Sequence, residues 1–358
     1  VDFNQDVLSV HRANFDREVL QADLLDVDEV VLRLRQAPRC GIGQLSSPCV
    51  DFSPAGKGVE TERSWVTVAG LAILIKLDVP IILVENVPRL MESATWARSA
   101  ELLESAGYSW AAAFVDAQHC GVPQRRRRVF VLAVRGAGER TAAALGRWQT
   151  GRAALAGRDD AVVTLRESMP DLGPLVFFNS RGGRAACVRS TDAVLPTLRT
   201  NCGYTPSKTV VESKGGSRLK AEWRYTARDK DDEPISKASF MSVAQLGVAG
   251  GFDPDFLWPG RRTLAAKVVG NSVAPPVARA VLKALSETGL IAWAAERVGA
   301  AQTVSRAEPV GGLREETRRL LAAVTERPLS QAFSDASWRE AAVKAAEPKA
   351  GRKHRGDE

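Results

Sequence analysis

The feature that most constrains this sequence is a short, wholly aliphatic run that lies between two helical patterns. Residues 81–84 read Ile-Ile-Leu-Val and follow a proline. A continuous apolar run of this length is typical of a parallel strand that is buried on both faces. The flanking segments 65–77 and 91–106 have helical periodicity, so the chain alternates helix, strand and helix. We therefore predict an α/β fold, a parallel sheet with crossover helices.

Apolar patterns elsewhere extend this alternation. Residues 150–235 differ from the rest, because they are rich in Arg, Gly, Ser and Thr and show no sustained period. Such a long irregular segment is usually functional or disordered. The remaining predicted elements are strands over 19–22, 108–115 and 129–134, the last two as an antiparallel pair at the sheet edge, and helices over 4–15, 26–35, 277–290, 313–326 and 337–346.

Composition favours some classes of protein and excludes others. The net charge of +7 fits a polyanionic partner such as nucleic acid, although many enzymes are equally basic. The five cysteines form no paired spacing, so we expect reduced thiols in the cytoplasm. No histidine lies near a cysteine at metal-ligand spacing, so we expect no metal. Charged residues and a proline interrupt the most apolar stretch, 66–87, which predicts no membrane span.

Two short segments carry candidate reactive groups. Ser47-Pro48-Cys49 places a cysteine on a turn rich in Gly and Ser, where an accessible thiolate could reach a substrate. A lone cysteine is more often structural, so both interpretations stay open from this segment alone. Glu85 and Asn86 end the buried strand, at the edge where open α/β sheets bind their ligands. A buried ion pair is the alternative for the carboxylate of Glu85.

A basic run precedes the last predicted strand of this part of the chain. Side chains alternate between the two faces of a strand, so Gln124, Arg126 and Arg128 should share one side. Arg125 and Arg127 would lie on the other side, as solvated or phosphate-contacting residues. The run therefore predicts two different environments for neighbouring arginines.

In chain order, these segments resemble motifs of the cytosine-5 DNA methyltransferase family. Four short motifs in the family order are far more specific than any one of them, and the resemblance covers roughly residues 1–290. It implies an S-adenosylmethionine-dependent methyltransferase fold, with a Rossmann-like sheet and a smaller target-recognition domain. The matching segments are Ser47-Pro48-Cys49 with Phe52-Ser53 and Ala55-Gly56 (motif IV), Glu85-Asn86-Val87 (motif VI), Gly121-Val122-Pro123-Gln124 with Arg126 and Arg128 (motif VIII), and Gly270-Asn271-Ser272-Val273 (motif X).

The resemblance implies covalent catalysis on a cytosine that has been flipped out of the DNA helix. Cys49 would add its thiolate to carbon 6 of the ring, which activates carbon 5 toward methylation. Glu85 would hydrogen-bond ring nitrogen 3 and the amino group as negative charge develops. Arg128 would bind the carbonyl oxygen of the base, and Arg126 would help to build the pocket. The implied enzyme is a DNA (cytosine-5-)-methyltransferase of bacterial or phage restriction–modification type.

The same resemblance implies a site for S-adenosylmethionine made from both ends of the chain. Asp2-Phe3 is similar to motif II, in which an acidic residue binds the ribose hydroxyls and an aromatic ring packs on adenine. Asp23-Leu24 is similar to motif III, which meets the adenine amino group; by itself, Asp23 would be taken for a turn or capping aspartate. The implied cofactor residues are Asp2, Phe3, Asp23, Leu24, Pro48, Asn271 and Ser272.

The sequence departs from the family pattern in three places. It begins within motif II, and the Phe-x-Gly-x-Gly-type turn that cradles the methionine half of the cofactor is not found, so we expect a fragment of a longer product or a decayed copy. Val50 stands where the family usually has Gln. In the segment that fits motif IX, Ala244 and Gln245 replace the usual Arg and Glu, at positions that support the recognition domain.

We predict an N-terminally truncated catalytic domain formed by residues 1–149 and 260–295, a target-recognition region at 150–259 and a charged, helical tail at 296–358. Double-stranded DNA would lie in the cleft between the two domains, and the protein would act as a monomer. Arginine serves both phosphate and guanine, so it suits contact with DNA. The candidate DNA-binding residues are Gln124, Arg181, Arg184 and Arg199.

Two other functions stay open at this point. The first is methylation of tRNA, as in one eukaryotic branch of the family; that branch has a Cys-Phe-Thr signature, which this sequence lacks. The second is a catalytically silent fragment that binds DNA at most, which the missing first motif would favour.

Overall fold

The computed structural model describes residues 1–52, 60–136, 138–150, 162–172, 175–180, 185–198, 241–302 and 315–326; the helix predicted at 337–346 lies outside them. Its helices are α1 (Gln5–Asn14), α2 (Val27–Leu34), α3 (Glu62–Lys76), α4 (Ala94–Ser105), α5 (Glu139–Thr150), α6 (Leu165–Ser168), α7 (Val243–Ala249), α8 (Arg262–Asn271), α9 (Pro275–Glu287), α10 (Leu290–Gln302) and α11 (Glu315–Glu326). Its strands are β1 (Ile42–Ser46), β2 (Ile81–Asn86), β3 (Tyr108–Asp116), β4 (Gln124–Arg125), β5 (Arg127–Arg135), β6 (Leu175–Ser180), β7 (Ala185–Ser190) and β8 (Leu195–Pro196). Two 3₁₀ helices cover Pro88–Glu92 and Ala117–Cys120.

The chain divides into two compact units, each made of segments that are distant in sequence. Unit 1 consists of Val1–Gln21, Phe114–Arg127 and Thr150–Glu287, and unit 2 consists of Ala22–Ala113, Arg128–Gln149 and Thr288–Glu358. The predicted domain boundaries remain a prediction. Among the described residues, no helix combines the length and the apolar character that crossing a bilayer requires.

Unit 2 contains a four-stranded sheet with the order β1-β2-β5-β3. β1 and β2 are parallel, and Ser46 at the end of β1 lies opposite Glu85. β5 runs antiparallel to β2, with Glu85 opposite Phe130. The predicted α/β fold is confirmed, and β1 and β2 are parallel as expected. The sheet as a whole is mixed, however, because residues 117–126 link β3 directly to its neighbour β5 without the helical crossover that a parallel pair needs.

Helix α3 is apolar on nearly all sides. Thr61 caps its first turn, and a reciprocal bond with Ser64 forms a capping box, so the helix begins before the predicted residue 65. Ten of its 15 residues are buried, which is typical of a helix inside a core. Gly70 lets the helix approach β1 closely, because a Cβ built at that position would lie 2.5 Å from Leu45 Cδ1.

Most predicted elements are confirmed, with ends that shift by a few residues. The helices predicted at 4–15 and 277–290 are α1 and α9. The strand predicted at 19–22 is wrong, because Gln21 forms only an isolated parallel bridge with Asp2. One paired residue does not make the ladder of consecutive bonds that defines a strand.

Unit 1 has a buried core supplied by segments that are far apart in sequence. The region predicted as irregular, 150–235, contributes α6 and the strands β6, β7 and β8 among its described residues. β6 pairs antiparallel with β7, and β8 pairs in parallel with β4. The core residues are Leu165, Leu172, Leu195, Leu198, Met241, Leu246, Ala249 and Val269, with Met169, Phe252 and Trp258 packed against them.

The close approach at Gly70 gives a first prediction. We expect Gly70→Ala to lower the free energy of unfolding by about 1–2 kcal/mol, because the added methyl group overpacks the contact with Leu45. Gly146→Ala in α5 is the matched control: a Cβ there meets nothing within 4 Å, and alanine favours a helix over glycine by about 1 kcal/mol. Urea unfolding of both variants measures the difference. Equal stability of the two would contradict this packing of α3 on β1.

Candidate active site

A buried network of polar side chains fixes the ends of β1 and β2. The Ser47 hydroxyl and Thr67 Oγ1 share a hydrogen bond of 2.7 Å. Asn86 Nδ2 donates to both the carbonyl oxygen and the Oγ of Ser47, each at 3.1 Å. The backbone N–H of Val87 donates to Asn86 Oδ1 at 2.8 Å. All these groups are buried, where a polar group without a partner is costly, so the network holds the chain that leads out of β1.

Cys49 lies on the turn that follows this network. Its thiol is free and half-buried, while the next side chain, Val50, is 50% exposed. The backbone N–H of Phe52 donates to the Cys49 carbonyl at 3.2 Å, and the Phe52 ring is buried. The half-buried Cys49 therefore sits on a tight turn between anchored residues on both sides.

Glu85 and Arg128 form a buried ion pair at the same end of the sheet. Arg128 Nε lies 3.0 Å from Glu85 Oε1, and the two side chains are only 11% and 8% exposed. Phe130 is the direct partner of Glu85 in the ladder, and Arg128 precedes it by two residues, so both point to the face that carries Glu85. Removing two charges from water is expensive, so a buried ion pair is weak evidence for a contribution to stability.

The basic run that precedes β5 alternates as predicted. Gln124, Arg126 and Arg128 are buried, whereas Arg125 and Arg127 are exposed. The predicted alternation is confirmed for burial, but the run does not lie in one strand: Gln124 and Arg125 form β4, and β5 begins at Arg127.

Gln124 and Arg126, which belong to unit 1, form hydrogen bonds with backbone groups of the same unit. Gln124 donates to Ala249 O at 3.2 Å and accepts from Leu198 N at 3.1 Å. This placement argues against the predicted contact between Gln124 and DNA, because the amide lies inside the protein. Arg126 ties three carbonyl groups together and so holds the turn that follows α8: its guanidinium donates to Leu198 O at 3.0 Å, Gly270 O at 2.9 Å and Ser272 O at 2.9 Å.

The predicted cofactor residues of unit 1 lie at the start of α1 and at the end of α8. Asp2 Oδ1 accepts from the backbone N–H of Asn4 at 2.8 Å, and the Phe3 side chain is 68% exposed. Asn271 is exposed, and the Ser272 hydroxyl donates back into α8 at 2.6 Å. A carboxylate beside an exposed aromatic ring is a combination that can bind a nucleoside.

The predicted cofactor residues of unit 2 are less specific. Asp23 Oδ1 accepts from the backbone N–H of Leu25 at 3.0 Å, which is the turn aspartate that the sequence alone suggested. Its carboxylate is exposed, and Leu24 and Pro48 are half-buried. Their roles in cofactor binding remain predictions.

Unit 1 also contains a cleft of about 670 Å³ between α1 and the segment around α8 and α9. Its lining is largely apolar and includes Phe15, Phe252 and Phe256. Ser272 also lines it, whereas Asp2, Phe3 and Asn271 are not among the lining residues. The cleft therefore does not unite the predicted cofactor residues.

Several predicted residues cannot be placed. The DNA-contact candidates Arg181, Arg184 and Arg199, and Ser53, Ala55 and Gly56 of the cysteine segment, lie outside the described residues.

The departure at Gln245 has a clear structural outcome. Gln245 forms a capping box with Ser242 at the start of α7, accepting from Ser242 N at 2.7 Å, which is a bond that Glu would also make.

The sequence interpretation missed two members of the site. Thr67 lies in the middle of α3, and the motif comparison gives Asn86 no role of its own beside Glu85. No local pattern predicts that Thr67 meets Ser47, because they are brought together by packing of α3 on β1. For Asn86, an amide at the end of a fully buried strand was the available signal.

Comparisons with known proteins bear on the family and the fold. Residues 1–151 match the model of the family described as C-5 cytosine-specific DNA methylase. Type II methyltransferase M.HgiDI of Herpetosiphon aurantiacus is 26% identical over 275 residues, which cover 76% of this chain and 81% of that protein. Among solved structures, S. pombe Dnmt2 methyltransferase superposes with a TM-score of 0.54 at 16% identity, covering 81% of this chain and 90% of that one. A putative DNA modification methyltransferase encoded within an E. coli prophage gives 0.52 at 17%, covering 80% and 90%.

The class of protein follows from these matches. The resemblance to the cytosine-5 DNA methyltransferases predicted from the motifs is confirmed for residues 1–151, which match the model of that family. The fold is that of the S-adenosylmethionine-dependent methyltransferases. Enzymes of this family take their methyl group from S-adenosylmethionine.

The polar network gives a second prediction. We expect Asn86→Ala to lower the free energy of unfolding by about 1–3 kcal/mol, because it leaves the buried Ser47 carbonyl without this donor. Gln44→Ala, an exposed position on β1, should change it by less than about 0.5 kcal/mol. Thermal and urea unfolding of the two variants provide the measurement. If both changes had the same small effect, the network would not fix the turn.

Proposed function

We propose that this chain methylates cytosine in double-stranded DNA at carbon 5, through a covalent adduct on Cys49, as part of a restriction–modification system. The observation that carries the proposal is the arrangement at one end of the unit 2 sheet. A free, accessible thiol follows β1, and the buried Glu85–Arg128 pair lies at the end of the adjacent strand. A nucleophile and a charged hydrogen-bonding pair at the same end of a sheet suit an aromatic ring that is attacked by the nucleophile and whose developing charge must then be stabilised.

Cys49 would supply the electrons for the reaction. Its thiolate forms a bond to carbon 6 of the cytosine, and the ring electrons move to carbon 5 and toward nitrogen 3. Carbon 5 then takes the methyl group, whose bond to the donor's sulfonium sulfur breaks and leaves its electron pair on that sulfur. The proton on carbon 5 leaves to a base, the electrons of that bond restore the double bond between carbons 5 and 6, and the bond between the Cys49 sulfur and carbon 6 breaks. The thiolate is regenerated, so atoms and electrons balance. The accessible turn suits this role, because the base must be flipped out of the helix to reach the sulfur.

Glu85 and Arg128 would stabilise the ring while Cys49 is attached. A carboxyl group at Glu85 can hydrogen-bond nitrogen 3 and the exocyclic amino group, and the Arg128 guanidinium can donate to the carbonyl oxygen. Both side chains are buried, so their interactions with a bound base are little screened by water. The ion pair also orients the carboxylate before the base arrives, which lowers the cost of reorganisation during the reaction.

The residues present fit the methyl donor. The donor supplies an electrophilic methyl group on a sulfonium sulfur. In unit 1, the Asp2 carboxylate suits the ribose hydroxyls, and the exposed ring of Phe3 suits the face of adenine. Asn271 and Ser272 lie at the turn where α8 ends, and Arg126 holds this turn through its bonds to Gly270 O and Ser272 O. In this proposal Arg126 acts by positioning that turn.

The target-recognition role of residues 150–259 belongs to the same proposal. This region is enclosed in the chain by segments that carry the catalytic motifs, and its composition differs from theirs. Its DNA contacts, with Arg181, Arg184 and Arg199 as candidates, remain predictions.

The covalent step gives a third prediction. DNA amplified with 5-fluorocytosine in place of every cytosine should become covalently bound to the chain in the presence of S-adenosylmethionine, because fluorine at carbon 5 cannot leave as a proton does. Cys49→Ser should abolish the shifted band on a denaturing gel, and Cys40→Ser, at an exposed free thiol, should preserve it. A band that survives Cys49→Ser would show that another group is the nucleophile. Trapping on RNA of the same sequence but not on DNA would assign the enzyme to RNA.

The buried carboxylate gives a fourth prediction. Glu85→Gln should slow adduct formation by about two orders of magnitude or more, since assistance of this kind typically contributes ~10²–10⁴. Affinity for DNA should change by only a few fold. Glu101→Gln, on the exposed surface of α4, is the control and should leave the rate unchanged. The measurement is single-turnover trapping at saturating DNA; an unaltered rate in Glu85→Gln would remove Glu85 from the site.

A further inference from the structure

The side chain of Asp51 is bound at the first turn of α3 by three donors. Its Oδ2 accepts from the backbone N–H of Thr61 at 3.0 Å, from Thr61 Oγ1 at 2.6 Å and from Ser64 Oγ at 2.8 Å. The residue is buried. The backbone N–H of Thr61 is shared between this carboxylate and Ser64 Oγ, which accepts it at 3.3 Å, and the positive end of the helix dipole favours the charge of Asp51. These bonds are charge-assisted and therefore stronger than those between neutral groups.

Asp51 belongs to the same turn as Cys49. The bond from Phe52 N to Cys49 O closes this turn around the two intervening residues, Val50 and Asp51. Any displacement of Asp51 is thus transmitted through two peptide units to the residue that carries the thiol. On the other side, the turn is fixed by the bonds between Asn86 and Ser47.

The local sequence explains why a carboxylate is suited to this position. Val50 is exposed and makes no comparable anchor, and the buried ring of Phe52 fixes the turn only through apolar contact. Apolar contact is not directional, whereas three hydrogen bonds to one oxygen define both a position and an orientation. Asp51 is therefore a directional anchor on the C-terminal side of Cys49.

We infer that Asp51 is a positioning residue for the nucleophile: by binding the first turn of α3, its carboxylate holds the Cys49 turn in the geometry that attack on the base requires. The inference rests on the proposed function for its catalytic consequence. It does not place Asp51 in contact with the base or the cofactor. A displacement of about 1 Å at a reacting atom is enough to slow a reaction about a hundredfold, so an anchor of this kind affects the rate.

The test compares Asp51→Ala, Asp51→Asn and Asp28→Asn in the whole chain. Asn keeps an accepting oxygen without the charge, and Asp28 is an exposed carboxylate of unit 2 paired with Lys76. Two quantities are measured: hydrogen exchange of the Phe52 backbone amide, and the rate of trapping by 5-fluorocytosine DNA at saturating DNA. We expect Asp51→Ala to exchange at least 10-fold faster at Phe52 and to trap about 10–100-fold more slowly, with Asn intermediate and Asp28→Asn unchanged.

The two measurements separate the possible outcomes. Amides of β2 serve as the internal reference: if they also exchange faster in Asp51→Ala, that variant has lost stability generally. The outcome is then judged on Asp51→Asn instead. Unchanged exchange at Phe52 would overturn the anchoring. Faster exchange with a wild-type trapping rate would overturn the positioning role, because the turn would then be loosened without consequence. If the unmodified chain traps no DNA, the proposed function fails, and exchange at Phe52 still decides whether Asp51 anchors the turn.

Discussion

The parallel pairing of β1 with β2 is the constraint on which the candidate site depends. A parallel pair brings the carboxyl ends of both strands to one edge, so that Ser46 lies opposite Glu85. The chain beyond β1 then carries the thiol of Cys49, and the chain at the end of β2 carries the carboxylate of Glu85. Hydrogen bonds from Asn86 to Ser47 join these two strand ends directly. Without this pairing, nothing would hold these two strand ends, which are nearly 40 positions apart in sequence, next to each other.

Burial makes the arrangement rigid. β2 is buried along its whole length, so each polar group at its end needs a partner inside the protein. Asn86 finds partners in Ser47 and Val87, and Glu85 finds one in Arg128. These bonds are worth little as net stability, because each replaces bonds to water. Their value lies in fixing positions, which is what a site for a reactive base requires.

Much of the fold could be predicted from the sequence, because its signals are local. The aliphatic run at 81–84 and the helical periods beside it each depend on a few neighbouring residues. The mixed direction of the sheet could not be predicted in this way, since it depends on how β3 leads into β5. The predicted strand at 19–22 is only an isolated bridge at Gln21 in the structure. A strand needs a neighbouring strand to pair with, and the sequence of this segment does not show whether one is available.

The site divides in the same manner. Cys49, Glu85 and Arg128 could be singled out because motifs mark them. The contacts of Thr67 and Arg126 could not, because they join residues that are 20 and up to 146 positions apart. Physical packing, and not a local pattern, brings those groups together. The alternation of Gln124, Arg126 and Arg128 was predictable for the opposite reason: it follows from the two-residue period of an extended chain.

The four consecutive arginines, Arg125 to Arg128, affect how the segment from β4 into β5 is aligned with its neighbours. A slip of one residue would still place arginines where Arg126 and Arg128 now lie, so these side chains alone cannot distinguish the correct alignment from its neighbour. The same slip would put Pro123 in the place of Gln124 and Arg128 in the place of Val129, which is completely buried. The alignment of the arginines is thus decided by the two residues that flank them, an amide on one side and an aliphatic side chain on the other.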